Sequence, residues 1–334
     1  MSDTGTATES RASEGRKIDW IELISRYGVL LALVGCIIFF STQEESFRTY
    51  DNFQTTLEGA APLMMMALGL TVVLVMGDFD LSVSGMVAVA SAIVIATVVR
   101  TDIPWGMAVL IALLAALIVG SINGYLVSYV GTPSFITTLA TGVMLAGVEL
   151  AVTGPGTTFI SGGTEIPRSY RDLGIGEPFL EIKTPVWIAL AMAVTLWLLL
   201  AKTEVGRFMY AIGGNPEAAR LSGIRVKFLR ASGFVVVAIC ASWAGIVSSA
   251  RTGSHVRGVG GSLLLSAFAA AFLGATMSKR LQFNVWGTVI GALFLQVVES
   301  GLTFMGYDQD VKNIVKGAIL IAAMLLGRLG ASKR

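Results

Sequence analysis

The sequence predicts an all-α polytopic membrane protein of about ten transmembrane helices. Three observations carry that expectation. Of the 334 residues, 54% are apolar and only 14% are charged. A soluble domain averages about 45–50% apolar and about 25% charged residues. The mean hydropathy is +0.75, and the apolar residues fall in long runs, as helices that need about 20 apolar residues to cross a bilayer require. Too little charge remains to cover a soluble globule, so soluble enzyme classes are excluded at the outset. The 38 glycines suit close helix–helix contact in lipid.

Residues 1–26 are polar and carry Arg11, Arg16, Lys17 and Arg26. They read as a disordered cytoplasmic N-terminal tail, because a signal peptide needs an apolar core and a small-residue cleavage site. The transmembrane domain then occupies 27–328, with spans at roughly 27–42, 57–76, 81–100, 104–129, 134–152, 185–201, 229–250, 263–278, 284–306 and 310–328. Residues 329–334 are a cytoplasmic C-terminal tail. The second and third spans form a nearly continuous run. As one helix its 44 residues would measure about 66 Å, roughly twice one crossing. The run must therefore break, and Gly77-Asp78-Phe79-Asp80 is the expected place.

With the N-terminus inside, the segments 1–26, 77–80, 130–133, 202–230, 279–283 and 328–334 are cytoplasmic and hold 15 of the 24 Lys and Arg, against 9 on the other side. That bias places both termini in the cytoplasm. Segment 153–184, with Pro155, Pro167, Pro178 and four acidic residues, is the main periplasmic loop.

The net charge of +2 gives no footprint for nucleic acid. No G-x-x-x-x-G-K-[ST] occurs, so the chain has no phosphate cradle and cannot hydrolyse ATP by itself. No G-x-S-x-G occurs either. His255 is the only histidine, which removes H-E-x-x-H sites, haem pairs and zinc clusters; a plain surface histidine is expected there. Cys36 and Cys240 lie inside apolar runs and read as packed thiols. Met64-Met65-Met66 reads as packing. Transport is the class left by elimination.

The loop 202–230 holds eight charges in 29 residues. Gly213-Gly214 permits a sharp turn with positive φ. Asn215 is a good N-cap, Pro216 fits the first helical position, and Glu217 complements the dipole. Ala218, Ala219, Arg220 and Leu221 propagate a helix that Gly223 can end. A helix of about two turns therefore lies on the inner face. It is either a solvated loop with an incidental helical turn or a docking helix for a soluble partner.

Gly213-Gly214-Asn215-Pro216-Glu217-Ala218-Ala219-Arg220-Leu221-Ser222-Gly223-Ile224 closely resembles the coupling loop of ABC-type sugar importer permeases, the ribose/xylose/arabinose/galactose group that includes autoinducer-2 and polyol importers. Gly77-Asp78-Phe79-Asp80-Leu81-Ser82-Val83-Ser84 is similar to that family's G-G-I-D-L-S-V-G. Asn123-Gly124-Tyr125-Leu126-Val127, the stretch from Pro133 to Leu139, and Val315-Lys316-Gly317 match three further family motifs in the same order. The chain departs from the pattern at Asp78 and Ser84, where the family has glycine. It also departs at 263–270, which lacks the family's acidic residues, and at 277–283, which replaces a glycine-rich loop.

The resemblance implies a permease dimer with its pathway at the dimer axis and related halves around 57–152 and 229–328. Two nucleotide-binding domains of an ABC ATPase would dock on Gly213–Gly223, Ser222 included. A periplasmic or lipid-anchored solute-binding protein would deliver a sugar or polyol. ATP and Mg would belong to the partner ATPase, with no cofactor on this chain. The second permease could be identical or different.

Asp78 and Asp80 are either hydrated in a cytoplasmic turn or, for Asp80, fixed on a broken helix facing a wet cavity. An intramembrane aspartate usually has a partner or a task. Ser82, Ser84, Asn123, Thr137 and Ser266 complete the candidate pathway set, with Thr138 and Gln296 as further neutral polar groups; helix–helix hydrogen bonding is the competing use for each. Glu58, Glu149 and Glu299 fall near the outer ends of their spans and either meet a binding protein or are hydrated. Gly120 with Gly124, and Gly287 with Gly291, mark close helix contacts within a protomer or across a dimer. An ion-coupled secondary transporter is the alternative, but it needs charged or unwound sites in both halves, and nothing acidic in the second half answers Asp80.

Overall fold

The apolar runs become helices, and the first is longer than expected. In the computed structural model, which describes residues 20–154, 159–161, 166–278 and 281–332, α1 (Trp20–Gln43) begins ahead of the Tyr27 boundary. The rest of the expected N-terminal tail lies outside the described residues. The next run breaks into α2 (Tyr50–Val75) and α3 (Val83–Arg100). Gly77 takes φ +82°, its N–H bonds to the Leu74 carbonyl at 3.1 Å, and the Asp78 N–H bonds to the Val73 carbonyl at 3.0 Å. This paired closure satisfies the last carbonyls of α2 and needs a residue at ease with positive φ.

Next come α4 (Trp105–Tyr125), extended to Val130 by a wide turn, and α5 (Ser134–Thr153). A short strand β1 (Phe159–Ser161) and α6 (Arg168–Ile175) precede α7 (Thr184–Trp197), which continues to Lys202. Two short helices follow, α8 (Glu204–Gly214) and α9 (Pro216–Leu221). The second half holds α10 (Val226–Thr252), β2 (Ser254–Val256), α11 (Gly261–Thr276), α12 (Val285–Phe304) and α13 (Gln309–Ser332). Helix α13 runs into the expected C-terminal tail as far as Ser332.

Among the described residues, seven helical stretches are long and apolar enough to cross a membrane: Tyr50–Val75, Val83–Arg100, Trp105–Val130, Ser134–Thr153, Thr184–Lys202, Val226–Thr252 and Val285–Phe304. Tyr27–Gln43 and Gly261–Thr276 are shorter apolar helices. The chain thus has the form of an all-α, multi-pass membrane protein.

Helix α2 is the hub. Nearly all of it from Ala60 to Val75 is buried, against α7, α10, α11 and α12. Both small-residue pairs work inside this one chain. A Cβ on Gly120 or Gly124 would press into the α10 backbone at Phe234–Val235 and Ala231, and one on Gly287 or Gly291 would meet α11 at Gly274 and Ala270. Met64, Met65 and Met66 are packing side chains, all buried.

The segment after α10 folds back into the bundle. Strand β2 pairs antiparallel with β1, Ile160 opposite His255. His255 lies on Ser91, while a Cβ on Gly260 would collide with the Ser84 carbonyl. Between those two points the chain retraces two turns of α3, about 10 Å. Helix α11 therefore starts part-way through the bundle, which accounts for its 16 residues. Irregular backbone at such depth is tolerated where protein or a water-filled cavity surrounds it. The 153–184 segment is docked on the bundle as well: Tyr170 of α6 is fully buried, its hydroxyl 3.0 Å from the Ile246 carbonyl and 2.6 Å from Ser249 Oγ.

Candidate functional site: the α8–α9 elbow and the α2–α3 break

Helix α8 opens on Thr203, whose side chain accepts the Gly206 N–H. It runs straight through Gly213 and Gly214, neither of which has positive φ. The sharp turn expected there is absent. Gly213 serves another purpose, since α8 crosses the end of α2 at this residue and a Cβ would strike the Val75 carbonyl oxygen. The chain turns one residue later, at Asn215, with φ −157° and ψ 100°.

Asn215 Oδ1 accepts the N–H groups of Glu217 (3.1 Å) and Ala218 (3.0 Å), and Pro216 occupies the first turn. Arg220 donates to Glu217 at 2.6 Å and holds that carboxyl below the usual carboxylate range. Ser222 Oγ bonds back to the Ala218 carbonyl. Gly223, at φ +83°, closes the helix: its N–H bonds to Arg220 O (3.0 Å) and the Ile224 N–H to Ala219 O (3.1 Å). Ala219 is buried in a cluster with Met209, Ile212 and Leu229. Leu221 is 78% exposed beside the exposed Glu217 and Arg220.

Helix α10 then begins, and Arg230 grips the break. Its Nε donates to Asp78 Oδ2 at 2.7 Å and its Nη2 to Oδ1 at 2.6 Å. Asp78 and Asp80 are 2% and 1% exposed, so the hydrated-turn alternative is wrong for both. Lone carboxylates this deep must be paired or bonded, and each is.

Asp80 Oδ1 accepts the Ser82 N–H at 2.9 Å and the Ser82 hydroxyl, just ahead of α3. Ser82 Oγ in turn accepts from Asn123 Nδ2 of α4 (3.0 Å), and Asn123 Oδ1 accepts from Thr141 Oγ1 of α5 (2.7 Å). The donors run one way, Thr141 to Asn123 to Ser82 to Asp80. Two further hydroxyls of α5 hold the break: Ser134 Oγ accepts the Phe79 N–H, and Thr138 Oγ1 accepts the Leu81 N–H. Asp80 Oδ2 has no hydrogen-bond partner among the described residues.

The structure therefore gathers Asp80, Ser82 and Asn123 and leaves the other candidates apart. Ser84 Oγ turns to the Leu81 carbonyl, Thr137 Oγ1 to Thr132 Oγ1, and Ser266 is buried without a bond to its hydroxyl. Sequence reasoning missed Ser134, Thr141 and Arg230. The first two were legible as a polar stripe on α5, since Ser134, Thr138 and Thr141 recur at helical spacing. Arg230 was legible as a cation set at the start of a span.

The outer glutamates are paired within the chain. Glu58 meets Arg251 at 3.5 Å and Glu299 meets Lys316 at 2.8 Å. Glu149 Oε1 accepts the Gly258 N–H at 2.8 Å and lies 3.2 Å from His255 Nε2, off the line of a hydrogen bond. His255 is 1% exposed, not a surface histidine, and its Nδ1 is 3.0 Å from Ser91 Oγ.

A multi-pass bundle with a buried break between its second and third apolar helices and a capped elbow at one end fits a membrane transport subunit. Residues 52–324 match the family described as branched-chain amino acid transport system/permease component, and the chain belongs to it. It is similar to the ribose import permease protein RbsC of Escherichia coli (strain K12), 34% identical over 297 residues, covering 89% of this chain and 92% of the relative. The D-allose transport system permease protein AlsC of the same strain is 28% identical, covering 97% of this chain and 98% of the relative. The galactose/methyl galactoside import permease protein MglC of Salmonella typhimurium is 27% identical, covering 95% and 97%. No solved structure matches the chain. The protein is a non-enzymatic permease subunit of an ABC importer, with ATP hydrolysis done by a partner. Nothing in these relatives supports the ion-coupled alternative.

Proposed function

We propose that this subunit carries a sugar or related small polyhydroxylated solute into the cytoplasm, driven by an ABC ATPase that docks on the α8–α9 elbow. The elbow is the observation that carries the reading: a short, doubly closed helix with Leu221 bare and Glu217 and Arg220 exposed beside it. The printed solutes of the relatives are ribose, allose and galactose. In this reading Gly213–Gly223 transmit the stroke, and ATP and Mg stay in the partner.

Ten crossings, formed by α1 to α5, α7 and α10 to α13, make up the 27–328 permease domain. Both termini are cytoplasmic, supported by the 15 of 24 basic residues on that side. A second permease copy completes the pathway, and a periplasmic or lipid-anchored binding protein delivers the solute. Asp80, Ser82 and Asn123 are buried, so they shape the edge of the pathway by fixing the break, as does Ser266. Ser84 and Thr137 are partly exposed and offer their surface to it.

The test is gentle-detergent capture of the tagged chain from its own membrane, with mass spectrometry, followed by thermal-shift screening of any co-purified binding protein against D-ribose, D-allose and D-galactose. Recovery of a P-loop ATPase and a sugar-stabilised binding protein is expected. Recovery of the chain alone, repeated after crosslinking, overturns the reading.

A further inference from the structure

One ion pair joins the elbow to the break. Helix α9 and the start of α10 form one hydrogen-bonded unit: the Ile224 N–H bonds to Ala219 O, the Leu229 N–H to Arg225 O, and Ala219, Val226 and Leu229 share a cluster. Arg230 is the next residue of that unit. On the other side Asp78 is held by its own N–H on Val73 O and stands two residues before Asp80, whose carboxylate accepts the Ser82 N–H at the start of α3. The fork between them is bidentate, at 2.6 and 2.7 Å, with the Asp78 side chain only 3% exposed.

The elbow also packs on this region through Gly213 against Val75 and through Met209, Ile212 and Ala219, which share an apolar cluster with Val72, Val75 and Met76. Backbones in van der Waals contact can slide past one another. A planar guanidinium on a carboxylate through two parallel bonds resists both sliding and rotation. Withdrawing Arg230 would strand a buried carboxylate. Movement of the elbow must therefore carry Asp78 along.

We propose that Asp78 and Arg230 are positioning residues of the transport cycle, a strut that passes displacement of the α8–α9 elbow to the α2–α3 break. The strut couples the ATPase to the pathway without touching solute or nucleotide. This inference rests on the functional reading above.

The test uses the complete transporter, this chain with its ATPase and binding protein, in proteoliposomes. Uptake of D-ribose, D-allose or D-galactose, whichever the wild type accumulates, is read together with ATP hydrolysis. Arg230→Met alone leaves Asp78 stranded and lowers stability. Asp78→Leu with Arg230→Met removes both charges, so assembly is restored. The strut predicts that this double variant assembles and hydrolyses ATP normally, while solute carried per ATP falls about tenfold, within the range of single-contact coupling effects. Wild-type stoichiometry in the double variant overturns the proposal and leaves a mere staple. Failure of the double variant to assemble also overturns it, since the pair is then a folding element. A wild-type complex with no ATP-driven uptake of any of the three sugars defeats the functional reading itself, and the strut with it.

Discussion

Asn123 Nδ2 donates to Ser82 Oγ at 3.0 Å, tying the end of α4 to the start of α3. Asn123 is fully buried, and its carbonyl is taken by Thr141. Both ends of the amide are thus used, and its orientation is fixed by the donors and acceptors around it. Removing it takes one bond from each neighbour, while Ser82 Oγ keeps Asp80 and Thr141 Oγ1 keeps the Thr137 carbonyl.

Asn123→Ala is therefore expected to cost about 1–3 kcal/mol, two lost hydrogen bonds at about 0.5–1.5 kcal/mol each. Thermal unfolding in nanodiscs checks this. Thr141→Val should cost less, because Asn123 keeps its bond to Ser82. Equal melting temperatures for wild type and Asn123→Ala would contradict the network.

Gly213 and Gly214 separate two ideas about the elbow. A Cβ at Gly213 meets the Val75 carbonyl, whereas nothing lies within 4 Å of one at Gly214. Gly213→Ala should destabilise by about 1–3 kcal/mol through overpacking. Gly214→Ala should be neutral, or stabilise by up to about 1 kcal/mol through helix propensity. Parallel melting curves of the two variants give the answer, and a flexible glycine hinge predicts the same loss in both.

Leu221 is the apolar anchor of the proposed ATPase contact. Burying one leucine contributes about 1.5–3 kcal/mol, so Leu221→Asp should weaken ATPase association by about tenfold or more. Glu217→Lys should detach or uncouple the ATPase while leaving insertion intact. Co-purification stoichiometry measures both. Normal association and normal uptake in these variants would sink the docking role of α9.

What the sequence shows depends on how local the physics is. The break after α2 was legible because a nearly continuous 44-residue run cannot cross once and Gly77-Asp78-Phe79-Asp80 is its polar interruption. The Asn215 cap and the Gly223 stop were legible because capping acts within four residues. Gly213 was misread as a turn, since its need for a missing Cβ comes from Val75, distant in sequence. His255 was misread as exposed for the same reason: its burial depends on β1, Ser91 and Glu149, and on a segment that folds back along α3. The pairing of Asp78 with Arg230, 152 residues apart, left no mark in either local motif.

The central claim is that α9 meets an ATPase. Its most direct test places a photo-crosslinking amino acid at Leu221, with a second at the exposed Ile118 of α4 as control, in cells that express the whole transporter. The account predicts one dominant adduct from position 221 with a P-loop ATPase, strengthened or weakened by a trapped nucleotide state, and none from position 118. Adducts of position 221 only with lipid, or with proteins that lack a P-loop, would contradict it.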